Sequence, residues 1–352
     1  MTRPLIFIAA SGTGGHVFPA LAVAEFLQKD YQIIWIGTDN GIEHKYVQYQ
    51  ICSINFGGFR KKSIIHQIKI LKNLFSAIIQ NIKLIDHYQP VGVITFGGYI
   101  SIPLGIAAKL KNIPLIIHEQ NSIAGMSNKI LNFWSVRTLT AYNQVLSSQK
   151  TIVVGNPLRN NFNKNFHVAK TLSDNNKINI MIMGGSLGAK YFNDQLPAVI
   201  NNLENIASVV HQIGKSSTVQ EVLARYDATK NDVAVKVVEF IDDVLQEYLA
   251  ADFIICRAGA LTVTEISCVG IPALFIPLPH AVDDHQFYNT QHLVSLHTAF
   301  VVRQDENASK HILKILQSLS KEKCNLMKSK LINRHNNLYC LNNIAKIVRE
   351  CF

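Results

Sequence analysis

Ser11 to His16, Ser-Gly-Thr-Gly-Gly-His, follows directly on the uncharged run Leu5 to Ala10. A run of this kind reads as a strand buried on both faces, and its glycines allow a tight turn into a helix expected to begin near Pro19. Such a turn aims backbone N–H groups above the strand end, where the helix dipole adds to their preference for a phosphate. His16 stands at the same point, with a side chain suited to exchanging a proton near neutral pH. An isolated glycine turn with no ligand would look the same, so the reading depends on the other polar residues.

Several of these fall at comparable places. Glu265 lies inside a helix starting after Arg257-Ala258-Gly259, where it could accept two hydrogen bonds from a ribose diol or simply answer the helix dipole. Arg159, after Gly155-Asn156-Pro157, could neutralise a phosphate or be a surface cation. His118 and Glu119 end a buried strand, a position equally open to catalysis, sugar binding or structure. His285 and Gln286 begin a helix and offer donors and acceptors to sugar hydroxyls, or a cap. No Asp-x-Asp pair, His/Cys ligand spacing or Gly-x-x-x-x-Gly-Lys-Ser/Thr loop appears, so neither a metal nor a cofactor is expected.

The elements that must position these residues alternate strand and helix almost throughout, the pattern of βαβ units and parallel sheets. Strands are expected at 32–37, 51–55, 91–95, 115–118 and 152–154, with a glycine turn at 97–101 and an amphipathic stretch at 63–87. Residues 160–177 are Asn-rich and polar without a clear period, and read as a linker. The opening theme then recurs, with a strand at 178–183, the glycine turn 184–189 and a helix. Further strands are expected at 208–213, 233–240, 253–256 and 273–276. The fold class is therefore α/β, with two Rossmann-like doubly wound domains, each carrying a phosphate-type turn after its first strand. The unusual loops all fall at the carboxyl ends of strands. Leu338, Leu341, Ile344, Val348 and Cys351 share one helical face near the end of the chain.

At 352 residues and 48% apolar composition, the chain can build two packed cores. Lys and Arg outnumber Asp and Glu 34 to 24, a net charge of +10 that points to an anionic partner. The six cysteines form no Cys-x-x-Cys pair and suggest a reducing, cytoplasmic setting. The start of the chain lacks the pattern of a signal peptide. Residues 91–108 are uncharged, but Gly97-Gly98 and Pro103 favour strand, turn and helix over a membrane span. No acidic residue lies between Glu43 and Asp86, whereas Lys45, Arg60, Lys61, Lys62, Lys69, Lys72 and Lys83 are basic. In the same region Ile64, Ile68, Leu71, Phe75, Ile78, Ile79 and Ile82 recur at helical spacing. A sheet-covering helix would show that stripe too; its cationic border points to an anionic membrane surface.

Seven motifs occur in order: GTGGHVFPALAVA (12–24), GGYIS (97–101), HEQNSIAG (118–125), VGNPLR (154–159), GGSLGA (184–189), EFIDD (239–243) and CRAGALTVTE (256–265). Together they resemble the MurG family of glycosyltransferases over essentially the whole chain. The resemblance implies the GT-B fold, two Rossmann-like domains facing a cleft, with the last helix crossing back to the first. Residues 1–158 plus 336–352 would form the acceptor and membrane-facing domain, and 159–335 the domain binding UDP-N-acetylglucosamine (UDP-GlcNAc). It also places Thr13, Gly14 and Gly15 by the diphosphate and sugar, Asn121 near the donor sugar, and Arg159 after Gly-Asn-Pro. Ser186 would contact the diphosphate and Ile241 the uracil through its backbone. Ala260, Leu261, Thr262, Val263, Thr264 and Glu265 would supply a helix N-terminus, with Glu265 on the ribose, and Gln286 would touch the sugar. Ser11 replaces a further glycine of many relatives, and residues 277–286 differ from the Lys-Asp-Arg-Gln-Gln version of some.

The expected reaction is an inverting transfer of N-acetylglucosamine to the 4-hydroxyl of lipid I, giving lipid II. His16 is the expected base and Glu119 the alternative. Expected partners are UDP-GlcNAc, lipid I and an anionic membrane surface, with a place left for other cell-wall synthesis proteins and none for nucleic acid. The expected location is the cytoplasmic face of the bacterial inner membrane. An NAD-dependent oxidoreductase is the rival enzyme, because the glycine turns and Asp39 imitate a dinucleotide fingerprint. It lacks the third glycine of Gly-x-Gly-x-x-Gly. A nucleotide-sugar sensor is the rival without catalysis.

Overall fold

Uncharged apolar runs become inner strands, because a strand covered by helices on both faces has no polar side to present. The computed structural model describes residues 3–56, 64–163, 177–185, 188–226, 233–332 and 339–352. They form two compact units, Met1–Asn160 with Asn336–Phe352, and Asn161–His335.

In the first unit the chain runs β1 (Leu5–Ala9), α1 (Gly14–Leu27), β2 (Gln32–Gly37), α2 (Glu43–Tyr46), β3 (Gln50–Ser53) and α3 (Ile64–Tyr88). It continues through β4 (Gly92–Thr95), α4 (Ser101–Leu110), β5 (Leu115–Glu119), α5 (Met126–Leu131), β6 (Arg137–Thr140) and β7 (Thr151–Val153). Among the described residues the sheet order is β3-β2-β1-β4-β5-β6-β7, with every pairing parallel. Strand order therefore reverses between β1 and β4. Ile6, Ile8, Ile94 and Ile116 pack on one face, and Phe7, Val93, Leu115 and Ile117 on the other.

The second unit repeats the plan with β8 (Ile178–Met183), α6 (Lys190–Ile200), β9 (Ile206–Gln212), α7 (Val219–Leu223), β10 (Ala234–Val238) and α8 (Val244–Ala250). There follow β11 (Phe253–Cys256), α9 (Ala260–Val269), β12 (Ala273–Phe275), α10 (His285–Ser295), β13 (Ala299–Val301), α11 (Ala308–Gln317) and α12 (Lys321–Ile332). Its sheet, β10-β9-β8-β11-β12-β13, is also parallel and reverses between β8 and β11.

The final helix, α13 (Cys340–Cys351), returns to the first unit. Leu341, Ile344 and Val348 join the core of α1, and Arg349 donates to Asp30 at 2.6 Å. Leu338 lies outside the described residues.

Helix α1 begins at Gly14 rather than near Pro19. Pro19 sits in its second turn, buried, and omits one intrahelical hydrogen bond there. The uncharged stretch 91–108 resolves into β4, a glycine turn and α4, and no described helix is long and apolar enough to cross a membrane. Strands β6 and β13 and helices α5, α11 and α12 are elements that the sequence reading did not place. The strands are only three or four residues long, too short for a period to show.

Candidate active site

Ligands of an open parallel sheet gather beyond the carboxyl ends of its strands where their order reverses. In the first unit that point is flanked by the Ser11–Thr13 turn and by Gly97-Gly98. The two glycines have φ of +84° and +78°, a left-handed conformation that a side chain would strain. Ser101 Oγ donates to the Gly97 carbonyl at 2.7 Å and Ser127 Oγ to that of Gly98 at 2.8 Å, which pins the turn.

The His16 imidazole lies over this pair. A Cβ added to Gly97 would be 3.4 Å from His16 Nε2, and one added to Gly98 would be 3.7 Å from Nδ1. Thr13 Oγ1 is 3.4 Å from Nδ1, and the Thr13 carbonyl accepts from the His16 amide at 3.0 Å. His16 is half-buried at the mouth of the crevice, where it can meet a bound hydroxyl. Gly14 and Gly15 occupy the first turn of α1, so their amides have no carbonyl partner within the helix.

Glu119 has a different place. Its Oε1 accepts from the Asn121 amide at 3.0 Å and Asn121 Nδ2 at 3.2 Å. Its Oε2 accepts from the Gly125 amide at 3.0 Å and Asn128 Nδ2 at 2.8 Å. Both oxygens are engaged and the residue is 2% exposed, a setting that suits a structural anchor. It is the centrepost of the 120–125 loop, joining Asn121 at one end to Gly125 at the other. His118 is fully buried, stacked on Phe96, and desolvation lowers its pKa to about 4. Neutral imidazole facing the Gly155 carbonyl at 2.9 Å must carry its proton on Nε2, so it acts as a structural donor.

Arg159 places its guanidinium 5.5 Å from the centre of the Phe18 ring, which meets Tyr46 edge-on. Burial raises the pKa of the neighbouring Glu25, and the charge of Arg159 opposes that shift.

In the second unit the Gly184–Ala189 turn and the Arg257–Gly259 turn flank the reversal between β8 and β11. Ser186 lies outside the described residues. Ala260, Leu261 and Thr262 occupy the first turn of α9, with backbone N–H groups available to an anion. Val263 and Thr264 do not join that donor set. The Val263 amide donates to the Gly259 carbonyl at 3.0 Å and its side chain is buried, while Thr264 Oγ1 donates to the Ala260 carbonyl at 2.9 Å.

Glu265 is one turn further along α9, half-buried, and its Oε2 accepts from Tyr248 at 3.3 Å. Ile241 is buried, 7% exposed, and Asp243 caps α8 by accepting from the Gln246 amide. Gln286 opens α10, and its Oε1 accepts from the Leu278 amide at 3.0 Å. Among the described residues no three His, Cys, Asp or Glu side chains gather as metal ligands would.

Both units match one family. The glycosyltransferase family 28 N-terminal domain matches residues 6–140 and its C-terminal domain residues 179–340. The chain belongs to glycosyltransferase family 28. A Histophilus somni protein named UDP-N-acetylglucosamine:N-acetylmuramyl-(pentapeptide) pyrophosphoryl-undecaprenol N-acetylglucosamine transferase is 40% identical over 94% of each chain. One from Shewanella halifaxensis with the same name is 38% identical, over 91% of this chain and 90% of its own. The crystal structure of Acinetobacter baumannii MurG superposes with a TM-score of 0.83 at 31% identity, covering 99% of this chain and all of that one. The fold is the GT-B fold of these glycosyltransferases.

Within this family 28 chain, sequence reasoning passed over Asn128, Arg257 and Asn289. Asn128 ties the Glu119 carboxylate to the His118 carbonyl, and Asn289 donates to the Ala258 carbonyl at 3.2 Å. Arg257 stacks on Phe192 at 4.6 Å, and burial lowers its pKa to about 10. Asn289 is one of several polar residues on α10, so nothing in the sequence set it apart. Asn128 sits on a helix of six residues, too short for a face to be read.

Proposed function

We propose that this protein transfers N-acetylglucosamine, with inversion, from UDP-GlcNAc to the 4-hydroxyl of the muramyl sugar of lipid I, yielding lipid II and UDP. The observation that carries this reading is the family 28 match across both units, each with a glycine turn at its sheet's reversal. The relatives' shared name states the same donor and acceptor.

His16 removes the proton of the attacking hydroxyl, since it is the titratable group lying on the Gly97-Gly98 turn with exposure to a ligand. Glu119 holds Asn121 toward the sugar. The first-turn amides of α9, with Ser186, receive the charge that grows on the departing diphosphate. Thr13, Gly14 and Gly15 line the sugar and diphosphate side, and Arg159 adds positive charge. Glu265 accepts from the ribose diol, the Ile241 backbone meets the uracil and Gln286 meets the transferred sugar. The first unit thus takes the acceptor and the second the donor. Incubation with labelled UDP-GlcNAc and a lipid I analogue tests the reaction. Stoichiometric UDP and a β-1,4-linked disaccharide lipid are expected; UDP binding without transfer would leave a sensor instead.

A polyprenyl acceptor stays in its bilayer, so the protein must work at the cytoplasmic membrane surface. Leu71, Phe75 and Ile79 are exposed on α3 and line a shallow groove with Lys72 and Lys83. Arg60, Lys61 and Lys62, and the side chains of Ile64, Ile68 and Lys69, lie outside the described residues. Anionic lipid attracts nearby Lys and Arg by about 1 kcal/mol each. Co-sedimentation with anionic vesicles should therefore fall in a Lys72→Glu, Lys83→Glu variant and in high salt. Equal binding to neutral vesicles would place the contact elsewhere.

A further inference from the structure

The loop from Pro277 to Asp284 joins β12 to α10, and it is held at three points. Arg257 donates to the Ile276 and Pro277 carbonyls at 3.0 and 3.1 Å and, through its other terminal nitrogen, to Gln304 Oε1 at 3.0 Å. The Leu278 amide is seated on Gln286 Oε1 at 3.0 Å. Arg303, two residues beyond β13, donates to Asp284 Oδ2 at 2.6 Å and places its guanidinium carbon 4.1 Å from the Phe287 ring centre.

Between the second and third anchors the backbone is unusual. Asp283 and Asp284 both have φ of 52°, two consecutive side-chain-bearing residues in the left-handed region. Asp tolerates that region better than most residues, yet two in succession persist only where surrounding contacts impose them. A lone exposed ion pair would do little. Here one guanidinium grips the kink at Asp284 and, through cation–π contact, the first turn of α10 at Phe287, on either side of His285 and Gln286.

We propose that Arg303 is a positioning residue for the donor sugar. By bridging Asp284 and Phe287 it maintains the left-handed kink and so fixes where Gln286 stands. The proposal rests on the reading that Gln286 touches the transferred sugar. Losing the clamp lets the loop leave its competent conformation, and apparent affinity falls by the competent fraction while the bound complex reacts as before.

Arg303→Ala is therefore expected to raise KM for UDP-GlcNAc about five- to tenfold with kcat within about twofold. Binding of UDP, which carries no sugar, stays unchanged. Arg303→Lys, which keeps the charge but not the planar fork, falls between. Asp284→Asn attacks the same contact from the other side and moves KM in the same direction. Hydrogen exchange at the Leu278 amide reads the clamp directly and accelerates in Arg303→Ala. Unchanged Leu278 exchange and KM in Arg303→Ala, with Gln286→Ala still raising KM, overturns the proposal and leaves the sugar contact standing. Faster Leu278 exchange in Arg303→Ala, with Gln286→Ala leaving KM alone, supports the clamp and overturns the sugar contact. An equal loss of UDP and UDP-GlcNAc binding reduces Arg303 to general structural support.

Discussion

Both units open on a buried strand running into a glycine turn, yet the glycines of the two turns answer different demands. At Gly188 an added Cβ would fall 2.1 Å from the Ile213 carbonyl oxygen, and at Gly184 it would fall 2.4 Å from the Ala189 amide nitrogen. Those obstacles are backbone, which cannot swing aside. In the first unit an added Cβ at Gly12 meets nothing within 4 Å, and at Gly15 nothing closer than Thr13 Oγ1 at 3.6 Å. At these positions the second turn is closed against the end of β9 and the first is open, although Gly185 also meets nothing within 4 Å and a Cβ at Gly14 would fall 2.8 Å from the Phe18 ring. One repeated motif therefore meets backbone at Gly184 and Gly188 and leaves room at Gly12 and Gly15.

The largest effect should come from the open turn. His16→Ala is expected to lower kcat about 10²- to 10⁴-fold, the usual contribution of a general base, with little change in melting temperature. Steady-state kinetics beside calorimetry would show it, and turnover within a few-fold of wild type would remove His16 from the chemistry. Glu119→Gln should do the reverse, because it sets an NH2 group against a pocket of four N–H donors. A loss of about 2–3 kcal/mol is expected from that mismatch alone. If the variant instead kept its stability and lost only kcat, Glu119 would regain its claim as base.

The closed turn should break structurally. Gly188 has φ of +76° in addition to its contact with Ile213, so Gly188→Ala meets strain from two sources. About 3 kcal/mol of destabilisation is expected. Denaturation followed by separate probes should show it confined to the second unit. A variant within about 0.5 kcal/mol of wild type, the range of ordinary surface changes, would mean that this turn yields.

The units should behave alike toward acid. Burial lowers the pKa of His118 in the first and of His211 in the second to about 4, from 6.5 in the unfolded chain. Between those values the unfolded state binds the extra proton, so stability is full above pH 6.5 and declines as pH falls toward 4. At about 1.36 kcal/mol per pKa unit, each contributes roughly 3 kcal/mol across that window. His211 bonds Tyr226 at 2.8 Å, so His211→Phe should flatten the second unit's pH dependence while lowering its stability at pH 7. An unchanged acid slope would assign the effect to other groups.

Much of this plan was legible because parallel strands announce themselves as uncharged runs, and Ile178–Met183 and Phe253–Cys256 needed no adjustment. The glycine turns were legible for the same reason, as breaks in those runs. Which amide remained available was not, since Val263 and Thr264 spend their polar groups on carbonyls that only the folded helix brings near. The role of Glu119 was hidden likewise, because Asn128 reaches it from another element. The Arg303 contact joins residues 19 positions apart, beyond any local pattern.

Gly15→Ala should have the smallest effect on the fold and so tests the contrast most finely. Gly15 is exposed in the first turn of α1, its φ lies outside the left-handed region, and a methyl group there would meet only ordinary contact with Thr13. Glycine is worse than alanine in a helix by up to about 1 kcal/mol, so the substitution should leave stability unchanged or raise it. The fold therefore gives no reason for glycine at this position. If the reason is close approach of a phosphate or sugar to the backbone, the added methyl must hold the ligand away from the first-turn amides. KM for UDP-GlcNAc or kcat should then worsen about tenfold, roughly 1.4 kcal/mol, while melting temperature holds or rises. Improved stability with unchanged kinetics would show that the open turn is merely solvated, and the contrast between the two turns would lose its functional meaning.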